Sequence, residues 1–285
     1  MKTIVIAVGI TLTIMANLSL AANSGDTLDT VDPEADRLAL QEHMQSRFPN
    51  VPIDDYINGI YALDSGSRAQ WEEIEEFPPY EFDIEEGEML FNTPFTNGKR
   101  YADCFDNGGI GIRQNYPFWD NNAEIVITLE KAINNCRKSN GEKPLPWGKG
   151  KLAKISAYMA FTSRGNVFNI TIPNESALAA YLSGKQNFFS RRGQLNMNCA
   201  SCHVSGTNIL IRADRPSPGL GHVTHFPVFR SKWGALGTLH RRYYGCQKTV
   251  RSTPDPMQGK RLSNLEYYQT YMSNGLVVNG PGSRK

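Results

Sequence analysis

Past its first twenty residues the sequence has no apolar run of the roughly 20 residues that a bilayer crossing takes. No membrane span is therefore expected in the mature chain. Charge of one sign is also lacking: 30 Lys and Arg stand against 28 Asp and Glu, a net charge of +2. So small an excess offers no broad positive field, and no nucleic-acid partner is expected. Cysteine is sparse enough, at five residues in 285, for each to be assigned in turn.

The N-terminus carries Lys2, an apolar run from Ile4 to Leu20 and a small-residue exit at Ser19-Leu20-Ala21. That order predicts a cleaved secretory signal peptide over residues 1–21 and an exported mature chain. About 264 residues follow it, which at ~100–200 residues per domain predicts two domains.

Cys199-Ala200-Ser201-Cys202-His203 is a CxxCH. Two thiols one helical turn apart can add to the two vinyl groups of a haem while the adjacent His203 becomes the proximal ligand of the iron. A single motif predicts one covalently bound haem c. A redox dithiol would follow a strand, which the lead-in from Gln194 to Asn198 does not resemble. The remaining thiols are Cys104, Cys136 and Cys246. An exported chain does not leave thiols free without a reason.

An internal repeat helps to assign them. Residues 129–165 align without a gap on 239–275, with identities that include Leu129/Leu239, Cys136/Cys246, Pro144/Pro254, Tyr158/Tyr268 and Gly165/Gly275. Upstream, Gly98 precedes Cys104 by six residues as Gly193 precedes Cys199, so Cys104 matches the first haem-attaching cysteine. The first copy has Asn107 and Gly108 where Cys202 and His203 would stand, and so cannot hold haem in the same way. Without haem between them Cys104 and Cys136 are free to approach, which predicts a disulfide and leaves Cys246 over.

Helices are expected over residues 33–47, 120–138, 151–163, 176–182, 232–244 and 262–272, with Gly165, Gly184, Gly245 and Gly275 as stops. The expected fold is mostly α: two cytochrome c-like domains, the first degenerate and without haem. The expected boundaries are an N-terminal extension over 22–65, the degenerate domain over 66–172 and the haem domain over 173–285.

The distal side of the iron has several candidates. Met257, in Thr253-Pro254-Asp255-Pro256-Met257, suits an ordinary electron-transfer cytochrome, but its repeat counterpart is Trp147, whereas Cys246 is matched by Cys136. His222, His225 and His240 are further candidates. Arg241, Arg242, Lys248 and Arg251 surround Cys246 in sequence and favour its anion. Arg242, one turn before Cys246, shares its side of a helix.

His225-Phe226-Pro227-Val228-Phe229-Arg230, Trp233 and the stretch from Leu239-His240-Arg241-Arg242 to Cys246 resemble the SoxA family, catalytic cytochromes of the periplasmic sulfur-oxidising system. The resemblance runs from about residue 60 to the C-terminus. It implies periplasmic localisation, two cytochrome c-like domains, and His203 and Cys246 as axial ligands, Cys246 being a catalytic cysteine persulfide and Arg242 the substrate-binding residue. It further implies an L-cysteine S-thiosulfotransferase, which joins thiosulfate to a cysteine of the SoxYZ carrier and passes electrons to c-type haem, with SoxX as the other subunit of a heterodimer. Many members carry a second CxxCH; this chain resembles the single-haem form. A plain electron-transfer cytochrome using Met257, and a haem-based sensor that releases Cys246 on reduction, are the other classes the residues allow.

Overall fold

A computed structural model describes residues 31–211 and 213–284; the expected signal peptide lies outside them. Most of the regular structure is helical, as expected, but two segments read as helix begin as hairpins.

In the first, β1 (Phe118–Asp120) pairs antiparallel with β2 (Ile125–Ile127) before α4 (Leu129–Ser139) begins. In the second, β3 (Val228–Arg230) pairs with β4 (Ala235–Gly237) before α8 (Leu239–Thr249). The expectation of helix over 120–128 and 232–238 is thus corrected. In the first hairpin the Asp120 carboxylate accepts from the Asn122 and Ala123 amides, so a turn takes up the polar residues that could equally line an exposed helical face.

Each hairpin and helix is followed by a second helix, α5 (Lys151–Phe161) and α9 (Lys260–Tyr271). Strand register, helix starts and the threonines that precede α4 and α8, Thr128 and Thr238, recur at the spacing of 110 seen in the sequence repeat. The two copies meet at Val167 and Val277, which bridge antiparallel. The bond from Gly165 N to Val278 O (2.9 Å) is answered by the bond from Gly275 N to Phe168 O (3.0 Å). This exchange marks an approximate twofold between the copies.

Each copy is also crossed by an earlier helix, α3 (Glu81–Asn92) on α5 and α6 (Glu175–Phe189) on α9. Both crossings are made at a glycine. A Cβ on Gly87 would stand 2.2 Å from Lys154 O, and one on Gly184 would stand 2.0 Å from Asn264 O. Gly184 therefore does not stop a helix at Leu182; it lies inside α6 and lets two backbones touch. Gly245 likewise lies inside α8.

Residues from the expected extension belong to the core of the second copy. Leu40 and Met44 of α1 (Pro33–Arg47), with Tyr56, pack among Tyr181, Phe188, Leu220, Val223 and Tyr268. Asp36 ties α1 to α6 by accepting from Lys185 and Tyr181, each at 2.8 Å. The Arg47 guanidinium donates to the carbonyls of Val204 and Thr207, holding the loop that leaves the CxxCH.

Candidate functional site

The CxxCH forms α7 (Cys199–His203), one short helix started by a reciprocal cap. Asn198 Oδ1 accepts from Ser201 N at 2.7 Å, while Ser201 Oγ accepts from Asn198 N at 3.2 Å. The cap begins the helix at Cys199, so Cys202 falls one turn along on the same side.

His203 Nδ1 lies 2.8 Å from the Ser217 carbonyl. A carbonyl only accepts, so Nδ1 carries the proton and Nε2 is left with a lone pair. Metal-binding histidines are commonly oriented in this way. A chain of side chains packs behind the ring: the Tyr243 hydroxyl donates to Gln269 Oε1, and Gln269 Nε2 donates to His222 Nδ1 at 3.2 Å. The His222 ring stands 4.3 Å from that of His203. Burial, with the charges of Arg242 and Arg284 adding to it, holds His222 neutral, well below the usual histidine range.

Opposite His203, α8 presents Cys246, whose thiol hydrogen-bonds to it. Burial pushes this thiol up, but Arg242, His203 and Arg230 outweigh burial and bring it down to about 7. Burial dominates at Cys199, which is pushed up to about 12, and it raises Cys202 as well. Of three neighbouring thiols, the structure turns one toward the anion and keeps the CxxC pair neutral.

The donor set fits haem c. The CxxC thiols lie on one side of one turn, and a histidine lone pair and a thiolate-prone sulfur face each other. A haem iron would take both donors in place of the hydrogen bond they share.

The other candidates for the distal position are elsewhere. Met257 packs toward the first copy, its Sδ 2.8 Å from where a Cβ on Gly148 would stand. His240 is buried with Nδ1 accepting from Gln258 N at 2.8 Å and Nε2 3.1 Å from Glu266. His225 stacks on Phe226. The basic residues around Cys246 divide in the same way. Arg241 lies over the Trp233 ring at 4.3 Å and Lys248 over Tyr244 at 5.0 Å, whereas the Arg242 side chain makes no hydrogen bond among the described residues. Arg230, on β3, is near enough for its charge to act on both Arg242 and Cys246.

The family model of the SoxA/TsdA cytochrome c domain matches residues 86–168. A protein of Chlorobaculum tepidum named L-cysteine S-thiosulfotransferase subunit SoxA is 52% identical over 252 residues, covering 88% of each chain. The chain belongs to the SoxA family. A relative of the same name from Allochromatium vinosum is 51% identical over 255 residues, 89% of this chain and 90% of that one. The crystal structure of SoxXA from P. pantotrophus superposes with a TM-score of 0.70 at 25% identity, over 76% of this chain and 84% of that one. This likeness makes the fold a cytochrome c fold, and membership of the family disfavours the plain electron-carrier reading built on Met257.

The matched stretch 86–168 contains no CxxCH. Its Cys104 and Cys136 are joined in a disulfide, and aromatic side chains pack beside it, with Tyr101 5.7 Å from Phe91 and 4.8 Å from Phe95 between ring centres. Sequence reasoning missed Ser217, Gln269 and Tyr243 because a carbonyl or amide that positions a histidine leaves no motif. Arg230 was legible only as part of the resemblance.

Proposed function

We propose that this chain is an L-cysteine S-thiosulfotransferase that joins thiosulfate to a cysteine of a carrier protein. One carrier thiolate and one thiosulfate dianion form a sulfur–sulfur bond, giving the S-thiosulfonate monoanion and two electrons. The observation that carries the reading is Cys246: a half-buried cysteine held toward the anion by Arg242 and facing His203.

Cys199 and Cys202 would hold haem c through thioethers, with His203 and Cys246 on its iron; when bound, the haem supplies a redox centre whose potential thiolate ligation lowers. Arg242 binds the thiosulfate oxygens through its planar fork, and its charge stabilises the anionic sulfur of Cys246. Cys246 in its persulfide form is the reacting sulfur. His203 is held in one tautomer by Ser217, which keeps Nε2 toward Cys246. Electrons leave to a partner cytochrome, SoxX, and the acceptor of thiosulfate is the SoxYZ carrier; the SoxXA title of the structural neighbour supports the first partner.

The chain carries a single haem, its first cytochrome-like unit, over 66–172, being closed by Cys104–Cys136 and filled by aromatic side chains. Residues 1–21 export it to the periplasm. The deciding experiment incubates the holoprotein and its cytochrome partner with thiosulfate and the carrier, and weighs both proteins intact. We expect one haem on this chain, a thiosulfonate adduct on the carrier, and no adduct with Cys246→Ala. An adduct formed at the normal rate by Cys246→Ala would overturn the reading.

A further inference from the structure

We infer that a small cavity between the two copies binds a tetrahedral inorganic oxyanion of the sulfate and thiosulfate class, at a site separate from Cys246 and Arg242. This holds whether or not the transferase reading does. The cavity measures about 80 Å³; β1, β2 and the first turn of α4 wall one side of it, and the first two turns of α9 wall the other. A water-sized group takes roughly 10–15 Å³ of such space, so there is room for an ion of about five heavy atoms.

The walls carry donors that nothing else uses. Trp119 Nε1 and Asn264 Nδ2 are buried without a hydrogen-bond partner among the described residues, and Asn264 as a whole is 2% exposed. A buried donor left unpaired is costly, and an acceptor placed in the cavity removes that cost. Lys131 Nζ reaches only long bonds, 3.3 Å to the Val126 carbonyl and 3.4 Å to Ser263 Oγ. Burial pulls this ammonium below its ordinary value, with Glu266 acting in the other direction, and an anion beside it would restore it. Lys260 is exposed at the start of α9, where the positive end of the helix adds to its charge. Against these, the one carboxylate in the described lining is that of Glu124, which is exposed. Donors converging from β1, α4 and α9 suit a ligand with acceptors on every side, as a tetrahedral oxyanion has.

The equivalent place in the repeat is closed by apolar packing. There Trp119 is matched by Phe229, Val126 by Leu236 and Ser263 by Ala153, and Tyr80, between α2 (Ser65–Glu76) and α3, packs among them. Asn264 is matched by Lys154, which pairs with Asp83 and Glu86. The fold therefore does not require donors at this place, and their concentration on one side alone calls for a ligand.

The test titrates the holoprotein, isotopically labelled at nitrogen, with sodium sulfate, thiosulfate and chloride at constant ionic strength. It is run in an Arg242→Ala background so that an anion beside Cys246 does not contribute, and it follows the indole N–H resonance that Trp119→Phe removes. Sulfate or thiosulfate is expected to shift this resonance saturably, with a midpoint below about 5 mM. Lys131→Met and Asn264→Leu should each weaken binding at least about tenfold. Glu124→Gln, which removes the opposing charge, should tighten it. Lys131 and Lys260 are not fully buried, so Lys131→Met and Lys260→Met keep the test decisive if Asn264→Leu does not fold. The ratio of the two affinities tells which oxyanion the site takes. No saturable shift up to about 50 mM, the result expected if water alone fills the cavity, overturns the inference. So does binding left unchanged by Lys131→Met, or chloride bound as tightly as the better oxyanion.

Discussion

At the scale of single residues the chemistry turns on which charges remain uncommitted. Four basic residues surround Cys246 in sequence, and two of them are occupied by aromatic faces, Arg241 by Trp233 and Lys248 by Tyr244. Arg242 lies one turn before Cys246 and its charge lowers the thiol against the effect of burial. Arg242→Ala is expected to reduce thiosulfate-dependent conjugation roughly tenfold to a hundredfold, since a charge-assisted contact contributes about 1.5–3 kcal/mol. Haem content and the low-spin spectrum should not change. Arg242→Lys should recover only part of the rate, because an ammonium keeps the attraction but loses the two-point fork. Wild-type rates in Arg242→Ala would mean that the anion is held by other residues, Arg230 first among them.

At the scale of elements, two glycines in helices have opposite roles. Gly184 lies where α6 crosses α9, and a methyl group there would collide with the Asn264 carbonyl. Gly245 is also inside a helix, yet a Cβ there meets nothing within 4 Å. Gly184→Ala should therefore destabilise the protein by about 1–3 kcal/mol or more through overpacking, seen as a fall in the unfolding midpoint of several degrees. Gly245→Ala should raise stability by roughly 0.5–1 kcal/mol, the usual gain from replacing glycine in a helix. Equal shifts in the two variants would remove the distinction. The same scale holds the disulfide, which closes a separation of 32 residues. Replacing Cys104 and Cys136 together by alanine should cost about 3–4 kcal/mol on the loop-entropy relation, while the spectrum of the haem in the other copy stays as it was.

At the scale of the whole molecule, buried histidines set the response to acid. Burial, with the charge of Arg284, holds His225 neutral and well below its ordinary range in the folded chain. In the unfolded chain a histidine takes up a proton near about pH 6.5. Below that pH the unfolded state binds more protons than the folded state, so stability falls as pH falls; above it this contribution is flat. The unfolding midpoint of the holoprotein should drop between pH 7 and pH 5, and His225→Asn should drop less over that interval. An unchanged slope in His225→Asn would assign the acid sensitivity to other groups.

The sequence by itself determined what depends on spacing along the chain. The CxxCH, the Cys246 that its repeat counterpart singles out, and Arg242 one turn away are legible because covalent attachment and helical periodicity both act over a few residues. The repeat spacing of 110 was legible for the same reason, since matched residues keep matched places in hairpin and helix. Tertiary structure decided what depends on segments far apart. Ile125–Ile127 and Ala235–Gly237 are strands because each finds a partner strand, which their apolar spacing did not specify. Gly184 continues a helix because another backbone needs its missing side chain. Met257 turns toward Gly148 because the two copies pack there. His203 owes its tautomer to the Ser217 carbonyl, and Cys246 its low value to guanidinium and imidazole groups brought in from other turns and strands. A thiol's protonation follows the field at its sulfur, and that field exists only once the chain has folded.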